Sequence, residues 1–416
     1  MEEFAFDLAR DCSPEFALSA ACAIWPPGDA RNAAIRQAAS LGIDWKRLHA
    51  VAIRQGIAGL VHDGLRRASV PMPPEAARTL AEEAHTLARK SLTLTAEAVR
   101  LRDSFRASNI PLAFVKGPPL AMLAYGTIAL RPYRDLDLLV PEGQAMSAAA
   151  LLEREGYQRT DPGPAASARQ IATWMRMHKD FAYIHKARRT IVELHWRLVE
   201  NPTLQRQIPS PELWIDATIA DGVQVKTLAI DDLLVYLTMH GAHHGWARMK
   251  WAADLAALLA ADPARAAQLL ALAERAGASR SARQLLLLVH VLFGTPLPTG
   301  WQSGGFEGRI VRWLARRALA VMTRDGGSGD PAHRVFGAAG VSVSRFLLRP
   351  DWRFKLAQLR CALVSSEDWR FLPLPPALHS FYPALRLPLW FGRRMAQAHS
   401  ARRRLRAGRT RGQRRP

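Results

Sequence analysis

The spacing of apolar positions changes twice along this chain of 416 residues, and the two changes divide it into three parts. Up to about residue 108 apolar residues recur at helical intervals, as in Ala58–Leu65 and Ala77–His85, with breaks at Pro26-Pro27 and Pro71-Met72-Pro73-Pro74. From about 109 to 230 the period shortens. Residues 110–115, 136–140, 181–185, 190–196 and 223–228 read as short strands, with helix signals between the first two and between Gly143 and Glu155. Beyond Asp231 the helical spacing returns to about Leu292, and from Thr295 onward the chain is rich in proline and aromatic residues, with further helices between. No internal repeat of fixed period is present. The expectation is an α+β chain: a small mixed sheet over 109–230, flanked by helical regions over 1–108 and 231–392, with an arginine-rich, disordered tail over 393–416.

Composition adds a question about partners. The formal net charge is +21, yet ten arginines and no acid lie between Arg393 and the end. Such a segment suits nucleic acid, acidic lipid or an acidic protein partner, through release of counterions, or is simply solvated. The three cysteines, Cys12, Cys22 and Cys361, make no CxxC pair and fit a reducing compartment. The amino terminus is acidic, without the basic region of a secretory signal. The longest apolar run, Leu285–Phe293, contains His290 and is too short to span a bilayer. These features predict a cytoplasmic protein without a transmembrane segment.

The chemistry concentrates in the strand-rich middle. On the apolar run through Leu136 and Leu138–Val140, Asp135 and Asp137 project from one face. Buried carboxylates need a partner. A hard divalent cation is one, since it takes oxygen ligands and leaves positions open for phosphates; pairing with Arg131 and Arg134 is the other. In Thr190–Trp196, Glu193 and His195 share a face, so a neighbouring strand would bring a third carboxylate to within reach of a two-metal site. The turn Lys116-Gly117-Pro118-Pro119 follows the first strand and opens a helix whose amino terminus would suit phosphate. In 237–254, His240, His244, Trp251 and Asp254 fall near one helical stripe with Lys250 four residues before Asp254. No glutamate follows His240 as an HExxH zinc site requires. The stripe reads as a polar wall with Arg248 and Lys250 available to phosphates, or as a buried network, and Gly241 and Gly245 are positions where the helix would break.

Taken in order, Phe114–Ala121, Leu130–Val140, Glu155–Tyr157, Val192–Trp196 and His240–Asp254 resemble the uncharacterised nucleotidyltransferase family of the DNA polymerase β superfold. Ser365–Pro375 and Tyr382–Arg386 are similar to the later part of such proteins. The resemblance implies catalytic, metal-holding Asp135, Asp137 and Glu193 with Mg²⁺ or Mn²⁺, an NTP as donor, and a hydroxyl acceptor that is a small molecule, protein or RNA. It places Lys116, Gly117, Arg131, Arg134, His195, His240, His244 and Lys250 around the nucleotide. An inactive scaffold that keeps the superfold, or an RNA-directed enzyme docked by the arginine segment, are the other readings. One departure stands out. The superfold usually carries Gly-Ser at the phosphate turn, whereas here Pro118 and Pro119 follow Gly117, which removes a hydroxyl and two backbone N–H donors.

Overall fold

A computed structural model of the chain describes residues 4, 6–204, 209–262, 264–298, 301, 305–323, 335–393 and 395. Its centre is a five-stranded mixed sheet in the order β1-β2-β5-β4-β3, built from β1 (Ala113–Phe114), β2 (Asp135–Leu139), β3 (Gln158–Asp161), β4 (Asp180–His185) and β5 (Thr190–His195). β2 and β5 run parallel with Asp137 beside Glu193 and Leu139 beside His195, and the other pairings are antiparallel. A separate hairpin joins β6 (Ile215–Ala220) to β7 (Val223–Thr227) across Asp221-Gly222, where Gly222 takes φ +69°. The architecture is thus α+β, with helices before and after the sheet.

The period-two alternation of β2 and β5 divides the interior in two. Leu136, Leu138, Val192 and Leu194 point to one side and pack with Leu94, Ala98, Leu101 and Phe105 of helix Pro74–Ala107 and with Ala148 and Leu152 of helix Ala145–Arg154. The 4-3-4 spacing of the first four keeps them on one stripe of that long helix. Leu139 points to the other side and belongs to a second core. That core unites Phe16, Leu48, Leu60 and Leu80 of the amino-terminal helices with Leu234, Leu255, Leu286, Leu319 and Phe354 from beyond residue 230. The two helical regions therefore share one interior, although the sheet lies between them in sequence. Gln55, fully buried, ties them: its amide donates to Met322 O at 2.8 Å while its carbonyl accepts from Met249 N at 2.8 Å.

Over 237–254 the chain does not form one helix. Helix Ile230–His243 stops at Gly245 (φ +61°) and Trp246 (φ +51°), and a second helix starts at Met249. The stop makes room for Trp246, which is fully buried against Gly241; a Cβ built on Gly241 would lie 2.3 Å from its ring. Gly241→Ala should therefore lower stability by roughly 1–2 kcal/mol, because overpacking costs more than the helix propensity gained. Thermal unfolding checks this, and an unchanged midpoint would mean the indole has another seat.

Of the arginine-rich segment only Arg393 and Met395 are described, so expectations about the rest lie outside the described residues. No single helix among the described residues is long and apolar enough to cross a membrane.

Candidate functional site

The polar side of β2 and β5 forms the floor of a cleft of about 380 Å³ roofed by His240, His243, His244, Arg248, Lys250 and Trp251. The parallel register sets its centre: Asp137 and Glu193 are neighbours across the strands, and His195 follows Glu193 on the same face. One ligand atom each from Asp137, Glu193 and His195 lies within 4.8 Å of the others. Asp135, two residues back along β2, lines the same cleft but is not part of that tight set. The sequence-derived trio of carboxylates thus becomes a quartet in which His195 sits closer in than Asp135.

Asp137 Oδ1 accepts from Lys116 Nζ at 2.9 Å and lies 3.3 Å from His195 Nε2. Burial opposes its charge, but the Lys116 ammonium and His195 hold it well below the usual carboxylate range. Asp135 is pushed the other way, to about 6, by burial and by the charges of Asp137 and Glu193. It makes no hydrogen bond or ion pair among the described residues. His195 is fully buried, and its Nε2, 3.4 Å from Glu193 Oε2, forms no hydrogen bond of good geometry. Despite burial and Lys179, these two acids raise its pKa. A half-buried carboxylate without a partner and an orphaned imidazole nitrogen, both facing two further acids, form a donor set that fits a divalent cation.

The residues expected around a nucleotide divide. Arg134 is exposed at the rim and makes no hydrogen bond or ion pair among the described residues. Lys250 lines the cleft likewise unpaired, and burial beside Arg131 pushes its pKa down to about 7. The expected Lys250–Asp254 pair does not form: Asp254 accepts from Arg131 Nε at 2.9 Å and from the Tyr125 hydroxyl at 3.1 Å. Arg131 is thereby buried and committed to helix Met249–Ala260. That also removes it as the partner of the two β2 acids. His240 and His244 do meet, with ring centres 4.6 Å apart and each 5.5 Å from Trp251, but they do so around the helix break, and Asp254 is occupied elsewhere. Burial lowers both imidazoles well below their ordinary pKa, so they line the cleft as neutral groups.

Gly117 adopts φ +65° and opens helix Pro118–Tyr125, whose first two residues are the prolines. Leu120 carries the first amide N–H of that helix, so the turn offers less to an anion than Gly-Ser would.

Several cleft residues went unnoticed in the sequence. Asp180 lies opposite His195 across β4 and β5, with its carboxylate 3.6 Å from Nδ1 and paired to Lys179. Extending the β4 alternation back one residue, Asp180-Phe181-Ala182-Tyr183, would have put it on the polar face. Glu200, whose carboxylate lies 3.7 Å from His178 Nδ1, and Tyr236, whose ring centre is 5.5 Å from Lys116 Nζ, left no comparable signal.

A family model described as an uncharacterised nucleotidyltransferase matches residues 42–294, and the chain belongs to that family. No curated protein matches it.

Proposed function

We propose that this member of the nucleotidyltransferase family is metal-dependent and moves a nucleoside monophosphate from an NTP to a hydroxyl acceptor. The observation that carries the reading is the donor set itself: Asp135 without a partner and His195 Nε2 without a hydrogen bond, aimed at Asp137 and Glu193. Mg²⁺ or Mn²⁺ bound there would supply the positive charge that activates the acceptor oxygen and offsets charge on the departing pyrophosphate. Asp137 and Glu193 hold this centre from adjacent strands, while Lys179 and Asp180 orient His195 from behind. Arg134 at the rim and Lys250 in the roof take the triphosphate, replacing with side-chain cations the amide donors that Pro118 and Pro119 remove. Lys250 reinforces this role, since a bound phosphate favours its charged form.

The test is nucleotide transfer from labelled NTPs with Mg²⁺ or Mn²⁺ to a panel of sugars, proteins and RNAs. Wild type should transfer and Asp135→Ala/Asp137→Ala should not. Equal inactivity, with no metal-dependent NTP binding to either by calorimetry, would leave an inactive scaffold as the reading.

Proton competition gives a second expectation. Metal ligation needs Asp135 ionised, and the metal-free carboxyl titrates at about 6. Mn²⁺ affinity should hold steady above neutral pH and fall as pH drops through that value. The raised pKa also means that charged Asp135 disfavours the metal-free fold at neutral pH, a penalty that disappears on acidification. The thermal stabilisation by Mn²⁺ should accordingly be larger at pH 7.5 than at about pH 5.5. A stabilisation independent of pH would place the metal elsewhere.

A further inference from the structure

The last described helix, over 382–393, carries its apolar residues on the wrong side for a core element. Tyr382 and Leu389 face inward at 4% and 7% exposure. Leu387, Phe391 and Met395, spaced four apart, face solvent at 70%, 62% and 72%. The spacing puts all three on one stripe, flanked by Pro383, Ala384 and Pro388, which are also exposed. The stripe is held outward by the opposite face. Asp368, almost fully buried, accepts from Arg386 at 2.9 Å and also pairs with Arg393, which reaches Glu367 at 3.2 Å. Rotating the helix to hide Leu387 and Phe391 would break these pairs and strand a buried carboxylate. The apolar area continues through Phe371, whose ring lies 3.3 Å from a Cβ built on Gly392. Arg386 Nε donates to Ala362 O at 3.0 Å, so helix Trp352–Ala362 adjoins, with Trp352 67% exposed.

We propose that this face seats the protein on an anionic lipid surface. The stripe is followed directly by the segment whose ten arginines from Arg393 onward include no acid. An apolar row with basic residues beside it matches a surface that is apolar below and anionic at its headgroups, and neither property alone accounts for both. Nucleic acid would meet the arginines but has no use for Leu387 and Phe391. A second copy of the chain would bring its own arginines against the first set, a like-charge contact. A lipid surface satisfies both, and one helix of this length lies on it and does not span it.

The experiment is co-sedimentation of the full chain with vesicles of phosphatidylcholine alone and of phosphatidylcholine with phosphatidylglycerol. Binding is expected to the anionic vesicles, weakened by salt. Leu387→Asp/Phe391→Asp should reduce it at least about tenfold, since two side chains no longer enter the acyl boundary. Both positions are exposed, so circular dichroism and the melting midpoint should match wild type. Truncation after residue 395, which removes eight of the ten arginines, should also weaken binding and reduce its salt dependence. Failure to bind anionic vesicles overturns the proposal, as does binding indifferent to the double substitution. So does light scattering that shows a dimer turned monomeric by the same substitution, or RNA retention that survives it in a chain that ignores vesicles.

Discussion

Asp137→Asn should cut the proposed metal-dependent nucleotide transfer roughly 10³-fold while leaving the fold standing. Asparagine keeps the shape and one acceptor oxygen but loses the charge that Lys116 and His195 both address. Metal centres supply several kcal/mol of transition-state stabilisation, and a loss of about 4 kcal/mol corresponds to roughly 10³-fold in rate. The expected outcome is a fall in kcat/KM of that order, with Mn²⁺ affinity reduced in calorimetry. The fold also registers the change. Asp137 has a depressed pKa in the folded state, so its charge stabilises the protein above the ordinary carboxylate range and that contribution is lost as pH falls. Asp137→Asn should therefore lower the melting midpoint at neutral pH, and the difference from wild type should shrink on strong acidification. Wild-type Mn²⁺ affinity and wild-type transfer in this variant would move the catalytic centre away from β2.

Asp254→Ala should be the most destabilising single change near the cleft, although Asp254 touches no expected metal ligand. Its carboxylate is almost fully buried and is the acceptor for both Arg131 Nε and the Tyr125 hydroxyl. Removing it leaves a guanidinium in the interior without its counter-charge, a situation that costs about 3–5 kcal/mol. Arg131 precedes the acidic strand by four residues, and helix Met249–Ala260 begins beside the cleft roof, so the pair fixes roof to floor. Chemical denaturation should show the loss as a lower midpoint with little change in slope. Arg131→Met/Asp254→Leu, which removes both charges, should recover much of it; a double variant as unstable as Asp254→Ala would show that packing rather than charge is at stake.

The acidic strand and Glu193 were legible because period-two alternation states directly which residues share a face. β3 was not: Gln158-Arg159-Thr160-Asp161 is an edge strand whose residues are intermediate or exposed, so it carries no apolar signature. β6 was readable in principle, since Ile215, Ala217 and Ile219 alternate with polar positions up to an Asp-Gly turn. What one strand cannot state is its partner. That β5 lies parallel to β2, past β3 and β4, is a property of the whole sheet, and it decides that Glu193 stands beside Asp137. The same limit explains Arg131. Locally it looks like a counter-ion for Asp135, and only the arrival of a helix more than a hundred residues later shows where its charge is used.

Gln55 has a consequence for how the protein is made. Its side chain needs Met249 and Met322 at once, so the helix that carries it cannot complete its buried hydrogen bonds while the ribosome is still translating the sheet. Until residue 322 has emerged, an amide in the forming interior stays unsatisfied and the surface meant for the carboxy-terminal helices is bare. The cleft roof, residues 240–251, also follows the sheet, so the nascent chain holds its acids open to water until that stretch has emerged. Joining the two helical regions into one interior therefore waits on contacts that close a long stretch of chain, a step whose entropic cost local helix formation cannot lower.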